Sequence, residues 1–275
     1  MGGTASKGVK TGSGERDRLV LFGDSITQQS FSPDGGWGAT LADVYQRRCD
    51  VLNRGYSGYN TRWALAMLRS GAGVGPDTSE SSTRLVTVFF GANDASLVEE
   101  NPKQHVPLAE YAQNLKDIVE ILRQRLPSAK ILLLTPPPVC HTQRLAWQKE
   151  RYREQASGRL ERTNEMAGQY AAAVEQVAQE LGLPALNLWK LMQDVNVWPE
   201  FLTDGLHLSP KGNQFVANAL REKISDVFPD LAIVPCKYTG QFGNSGSSCA
   251  GVATDCPWWE DVDVECPANS FSPAT

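Results

Sequence analysis

Histidine is scarce in this sequence, with only three among 275 residues. His105, His141 and His207 stand far apart, and none belongs to a cluster of acids and cysteines of the kind that binds a catalytic metal. The six cysteines form no CxxC pair, which argues against zinc. The phosphate-binding pattern GxxxxGK[ST] is absent as well. We therefore expect neither a metal nor a cofactor.

The chain also lacks a basic excess and long apolar runs. Its net charge is −5 and no basic stripe occurs, so nucleic acid is not an expected partner. No apolar run approaches the ~18 residues of a membrane span, and the polar N-terminal sequence has no secretory h-region. We expect a cytoplasmic protein. Gly2 and Ser6 fit the N-myristoylation pattern, so weak lipid anchoring at Gly2 and simple disorder both stay open there.

Apolar strand patterns alternate with helical patterns over most of the chain. The strand candidates are Leu19–Phe22, the start of DVLNRGYSGYN, Leu85–Phe90, KILLL and LPALNLW. Between them lie amphipathic segments, a long polar helical stretch from about Gln148 to Leu181, and a last helix opened by Ser209 and Pro210. Strands separated by helices form parallel sheets covered on both faces. The sequence therefore predicts an α/β fold with a parallel sheet of about five strands.

Composition divides the chain into three parts. Residues 1–17 are predicted to be a flexible N-terminal segment, 18–230 the single folded domain, and 231–275 a poorly ordered tail rich in Gly, Ser and Cys. Four of the six cysteines fall in that tail, and their redox state stays open. We expect the residues after Ala232 to be dispensable for chemistry, with docking of Trp258 and Trp259 as the alternative.

Polar groups follow the predicted strands where parallel strands end together. An apolar strand stops at Gly23, and Asp24 and Ser25 come next in LVLFGDSITQQ. Gly58 and Asn93 follow the next two strands in the same way. Ligands bind beyond the carboxyl ends of such strands. Ser25 is therefore a candidate nucleophile, although capping of the following helix would also explain Asp24 and Ser25.

The histidine best placed to serve as a base is His207. In TDGLHLSP, Asp204 precedes it by three residues, and a short loop lets that carboxylate bond the imidazole Nδ1–H and leave Nε2 to take a proton. His105 is expected in an exposed loop. His141 follows a strand end and could line a pocket. Ser209 and Pro210 already cap the last helix, which weakens a purely capping role for Asp204 and His207.

Four motifs together resemble the SGNH, or GDSL, hydrolase family, and most of all its isoamyl acetate-hydrolysing esterase branch. They are GDSIT, NRGYSGYNTRW, GAND and DGLHLSPKG, in this order from Gly23 to Gly212. The resemblance implies a flavodoxin-like αβα sandwich and a serine esterase acting through an acyl-enzyme. It further implies a triad of Ser25, Asp204 and His207 and an oxyanion hole formed by Ser25, Gly58 and Asn93. The chain departs from the family pattern at Ile26–Thr27 and in the tail.

The same resemblance suggests small-molecule esters as substrates, with O-acetylated sugars or lysophospholipids as alternatives. We expect short acyl chains, because the segment from Val139 to Leu160 is charged rather than lid-like and apolar. Asp24, Asn60 and His141 are expected to contact the substrate. A non-catalytic flavodoxin-like module that binds an anion or another ligand is the alternative from a different class. Covalent labelling of Ser25 by a fluorophosphonate separates the two.

Overall fold

The computed structural model describes residues 16–77, 82–233 and 264–265. Within these residues five strands form one parallel sheet with the spatial order β2-β1-β3-β4-β5. The strands are β1 (Asp17–Gly23), β2 (Cys49–Gly55), β3 (Thr83–Phe89), β4 (Lys130–Leu134) and β5 (Ala185–Leu186). This confirms the predicted α/β sandwich with a five-stranded parallel sheet.

Eight α-helices accompany the sheet in the described part of the chain. They are α1 (Ser25–Gln28), α2 (Trp37–Val44), α3 (Thr61–Arg69), α4 (Leu108–Arg125), α5 (His141–Tyr152), α6 (Asn164–Leu181), α7 (Leu188–Gln193) and α8 (Pro210–Val227). None of the described helices combines the length and the apolar character that a membrane span requires. The last helix begins after Ser209, whose hydroxyl accepts a hydrogen bond from the Gly212 N–H, as its sequence predicts.

Both faces of the sheet are buried. Along β1, Leu19 and Leu21 pack on one side in a core that includes residues of α2 and α8, and Val20 and Phe22 pack on the other in a core that includes residues of α3, α4 and α6. Alternate residues of a strand point to opposite faces, so a strand buried on both faces carries an uninterrupted apolar run. This is the physical reason that the short apolar strands could be recognised from sequence.

One predicted element is wrong. The polar stretch from Gln148 to Leu181 is not a single helix, because α5 ends at Tyr152 and α6 begins only at Asn164. Arg153 adopts a φ of 49°, outside the helical region, and opens a 3-10 turn (Arg153–Gln155) that a loop follows. The Thr163 hydroxyl then accepts a hydrogen bond from the Met166 N–H and opens α6 as its N-cap.

The terminal segments stay predictions. Residues 1–15, which include Gly2, lie outside the described residues, as do 234–263 and 266–275 with Trp258 and Trp259. Two of the six cysteines, Cys49 and Cys140, are described, and they form no disulfide. The strand register aligns Gly23 with Gly55 and with Phe89 at the carboxyl ends of β1, β2 and β3. The loops that follow these three strands therefore open at the same edge of the sheet.

Candidate active site

Ser25 lies at the first position of α1, directly beyond the end of β1. Asp24 caps this helix, because its carboxylate accepts a hydrogen bond of 2.9 Å from the Ile26 N–H. Gly23 leaves no room for a side chain: a Cβ there would lie 2.1 Å from the Thr27 hydroxyl and 2.5 Å from the Phe89 carbonyl oxygen. The tight turn holds Ser25 at the sheet edge, where 6% of the residue is exposed.

A chain of hydrogen bonds joins Ser25 to an imidazole and a carboxylate. The Ser25 Oγ lies 3.0 Å from His207 Nε2, and His207 Nδ1 lies 2.9 Å from Asp204 Oδ2. The backbone N–H groups of Leu206 and His207 donate to the other oxygen, Asp204 Oδ1, at 3.0 and 2.7 Å. Since an ionised carboxylate can only accept, it selects the imidazole tautomer that has its proton on Nδ1. Nε2 is then free to accept the Oγ proton.

The His207 imidazole and the Arg144 guanidinium keep Asp204 in its ionised form. Burial is the largest single influence and raises the pKa of Asp204, but the hydrogen bonds and charge of His207, together with the nearby Arg144 guanidinium, outweigh it and hold the pKa well below its usual range. Arg144 Nη1 donates to Asp204 Oδ2 at 2.9 Å from α5. Asp204 is therefore ionised at neutral pH.

Gly58 and Asn93 lie in the loops beyond β2 and β3 and line the same cleft as Ser25 and His207. Gly58 has a φ of +81°, which a residue with a Cβ rarely adopts. Asn93 is 4% exposed, and its Nδ2 donates to the Tyr59 carbonyl at 2.8 Å, which leaves its second N–H for a ligand. Neither the Ser25 N–H nor the Gly58 N–H donates to another described residue. The arrangement can supply hydrogen-bond donors to a negative charge that develops beside the Ser25 hydroxyl.

Three residues predicted to contact substrate lie elsewhere. Asp24 is 1% and Asn60 0% exposed, and both cap helices: Asn60 accepts a hydrogen bond from the Trp63 N–H at the start of α3. His141 opens α5, and its Nε2 accepts a hydrogen bond of 2.8 Å from the Asn164 N–H. None of the three lines the cleft. Contact with the substrate stays a prediction for these three residues, whose side chains accept hydrogen bonds from backbone N–H groups in this structure.

The cleft has a volume of about 570 Å³ and a polar lining. Beyond the residues already named, its walls include Glu100, Asn101, Gln104, Gln148, Gln155 and Arg159. Sequence reasoning did not anticipate Glu161 and Arg162, which stand in the stretch interpreted as a solvated helix, or Arg144, which precedes that stretch. No group of three or more potential metal-ligating His, Cys, Asp or Glu side chains occurs among the described residues.

Comparison with known proteins covers most of the chain. The profile of the GDSL-like Lipase/Acylhydrolase family matches residues 19–220. The chain is 52% identical over 209 residues to an isoamyl acetate-hydrolyzing esterase 1 homolog of Bos taurus. This alignment covers 74% of this chain and 79% of the relative. It is 45% identical over 258 residues to a GDSL esterase/lipase of Arabidopsis thaliana. This second alignment covers 93% of this chain and 98% of the relative.

A solved structure shows the same fold. The lipase/acylhydrolase of Enterococcus faecalis superimposes with a TM-score of 0.55 at 26% sequence identity, over 76% of this chain and 96% of the other. The four sequence motifs therefore occur on the fold that their resemblance implies.

Proposed function

Because this chain belongs to the GDSL-like lipase/acylhydrolase family and is a carboxylic ester hydrolase, we propose that it cleaves small esters in two steps with Ser25 as the nucleophile. The observation that carries this proposal is the hydrogen-bonded chain from Ser25 Oγ through His207 to Asp204 at 3.0 and 2.9 Å. It lies beside the unengaged donors of Gly58 and Asn93. A serine, a base and an orienting acid in this geometry are the requirements of acyl transfer.

In the first step the Ser25 Oγ attacks the ester carbonyl carbon while His207 Nε2 takes the hydroxyl proton. The carbonyl oxygen becomes an oxyanion, which accepts hydrogen bonds from the N–H groups of Ser25 and Gly58 and from Asn93 Nδ2. When the tetrahedral intermediate collapses, His207 returns the proton to the departing alkoxide. The products are a free alcohol and an acyl group on Ser25.

In the second step water repeats the attack. His207 takes a proton from water, the resulting hydroxide adds to the acyl carbonyl, and the same donors stabilise the second oxyanion. Collapse transfers the proton back to the Ser25 Oγ and releases the carboxylic acid, which ionises. Asp204 stays ionised throughout and stabilises the imidazolium that forms in each step.

The lining of the cleft supports short acyl chains. A long alkyl chain would displace water from Gln104, Gln148 and Arg159 without replacing their hydrogen bonds, and burial of unpaired polar groups is costly. We propose a preference for acyl chains of about two to six carbons on this ground. A hydroxyl-bearing alcohol, as in an O-acetylated sugar, is the second candidate, because amide and hydroxyl side chains can pair with it.

Labelling and substitution test the nucleophile. A fluorophosphonate should form one adduct, in which Oγ displaces fluoride, on the peptide that contains Ser25. Ser25→Ala should abolish labelling and nearly all turnover, whereas Ser57→Ala, a serine of the same cleft, should keep the label. An adduct on another serine, or a Ser25→Ala variant with undiminished kcat, would disprove the proposal.

Nitrophenyl esters of increasing acyl length test the proposed preference for short acyl chains. The preference is refuted if kcat/KM rises steadily up to dodecanoyl esters.

A further inference from the structure

Arg162 lies buried behind the candidate oxyanion hole, on a segment outside the four sequence motifs. The residue is 4% exposed. Its backbone forms an antiparallel bridge with Ser96, and the Leu97 N–H donates to the neighbouring Glu161 carbonyl at 2.8 Å. These bonds attach the strand-like segment before α6 to the loop that carries Asn93. The Arg162 side chain therefore has a defined path toward that loop.

All three nitrogens of the guanidinium donate to fixed acceptors. Nε donates to the Ala92 carbonyl at 2.8 Å, and Nη1 donates to Glu161 Oε1 at 2.9 Å. Nη2 donates to Asn93 Oδ1 at 3.0 Å and to Gln104 Oε1 at 2.7 Å. A planar guanidinium can satisfy several acceptors in set directions, which an ammonium cannot.

The contact with Asn93 decides which end of its amide faces the cleft. Arginine has no acceptor, so only the amide oxygen can turn toward it. Nδ2 must then point the other way, toward the Tyr59 carbonyl and the space beside Ser25. A reversed amide would present an oxygen to an oxyanion and repel it.

The contact with Gln104 extends the same control to the Gly58 loop. Gln104 Oε1 accepts from both Arg162 and Asn101 Nδ2, at 2.7 and 2.6 Å. Its Nε2 is therefore directed outward, and it donates to the Gly58 carbonyl at 2.9 Å. The Arg162 guanidinium thus supports the Asn93 side chain directly, and it supports the Gly58 backbone through the side chain of Gln104.

We propose that Arg162 is a positioning residue that orients the oxyanion donors by its hydrogen bonds to Asn93 Oδ1 and, through Gln104, to the Gly58 loop. The inference rests on the proposed function, because it assigns a partner to the donors named there. Glu161 compensates the buried positive charge. Arg162 acts on the orientation of groups that meet the transition state, so its loss should lower kcat and leave KM nearly unchanged.

A double-mutant cycle on the full chain tests this role. Arg162→Met should lower kcat about 10²-fold, toward the loss expected for removing one oxyanion donor, with KM changed less than about threefold. In an Asn93→Ala background the same substitution should cost about tenfold or less, because only the route through Gln104 remains. Arg162→Lys keeps the positive charge but loses the planar, forked set of donors. It should lower kcat less than Arg162→Met does, and KM should again stay nearly unchanged.

Arg125→Met is the matched control. Arg125 also donates to backbone carbonyls, those of Leu68 in α3 and of Val74, but it lies outside the cleft. It should lower Tm and leave kcat as it is. Undiminished kcat in both Arg162 variants, a rise in KM at constant kcat, or the full 10²-fold loss in the Asn93→Ala background would each overturn the proposal. If Arg162→Met does not fold, Arg162→Lys decides by the same criteria.

The proposed function fails separately from this inference. Full turnover in Ser25→Ala refutes the nucleophile whatever Arg162 does. Full turnover in Asn93→Ala removes the oxyanion role of Asn93 and the positioning role of Arg162 with it. Normal losses in Ser25→Ala and Asn93→Ala, combined with wild-type kcat in both Arg162 variants, refute the positioning role alone.

Discussion

His207 can take the Ser25 proton only as a neutral imidazole with its lone pair on Nε2. Asp204 enforces that tautomer from the other side of the ring, at 2.9 Å from Nδ1. An amide in its place could donate to Nδ1 and so move the imidazole proton to Nε2. In the proposed mechanism, Asp204 contributes at the scale of single residues by fixing the tautomer of His207, rather than by its charge alone.

Asp204→Asn should therefore lower kcat by up to about 10⁴-fold with little change in fold, because the imidazole then presents a proton to Ser25 instead of a lone pair. Steady-state kinetics and circular dichroism measure the two effects. His207→Ala should abolish turnover. His105→Ala and His141→Ala are the matched controls, and the assignment fails if either of them abolishes turnover while His207→Ala stays active and folded.

The residues that sequence could locate are those tied to strand ends. Ser25, Gly58 and Asn93 each follow a parallel strand within four residues, so the fold class alone places them at one edge. Asp204 and His207 were recognisable from their spacing in a tight loop. Asp24 and Asn60 belong to the same motifs, yet their side chains cap helices. Nothing in the local sequence distinguishes a capping side chain from one that faces a ligand.

At the scale of elements, α5 and the segment after it connect the two halves of the site. Arg144 of α5 bonds Asp204 and Glu161, and Glu161 also pairs with Arg162 behind Asn93. The proposed triad and the proposed oxyanion donors are thus joined by one row of alternating charges. Sequence could not show this, because charge in a polar stretch usually marks a solvated face, and the break at Arg153 has no Gly or Pro signal of its own.

The substitution Arg144→Met tests whether α5 supports Asp204 through the Arg144 guanidinium. Without the guanidinium, Asp204 loses a charge-assisted hydrogen bond, and the pKa of Asp204 should rise from its lowered value. We expect kcat/KM to fall about tenfold at neutral pH, as for the loss of one hydrogen bond to a charged group. Lys149→Met, on the exposed side of α5, controls for net charge and should leave kcat/KM unchanged.

For the whole molecule, two buried carboxyl groups govern how stability varies with pH. Burial raises the pKa of Asp24 to about 6, although the Ile26 N–H, His207 and Arg162 oppose it. Burial likewise raises the pKa of Asp94 to about 7 against hydrogen bonds from Thr61, and Asp24 raises it further. Both values exceed the ~3.9 of an unfolded aspartate. The folded state therefore binds more protons than the unfolded state over this interval, and stability falls as pH rises through it.

We expect the free energy of unfolding to decline from about pH 4 to about pH 7 and then to level off. Below about pH 4 Asp204 has the opposite effect on stability. Its pKa is lower in the folded than in the unfolded state, so the stabilisation that its carboxylate provides is lost as that group is protonated. Urea unfolding at a series of pH values measures the slope. Asp94→Asn should reduce the decline between pH 4 and 7, and Asp43→Asn, on the exposed face of α2, should not. Equal slopes in all three proteins would contradict the assignment.

The hydrogen bond between Ser25 and His207 joins positions 182 residues apart in the chain. During synthesis the serine therefore leaves the ribosome long before its base exists. A nascent chain that ends before the loop preceding α8 has the proposed nucleophile without a proton acceptor, and an incomplete chain of this kind cannot hydrolyse an ester by the proposed route. Turnover thus begins only with closure of the longest-range contact of the site, so ester hydrolysis during refolding would report the late, non-local stage of folding.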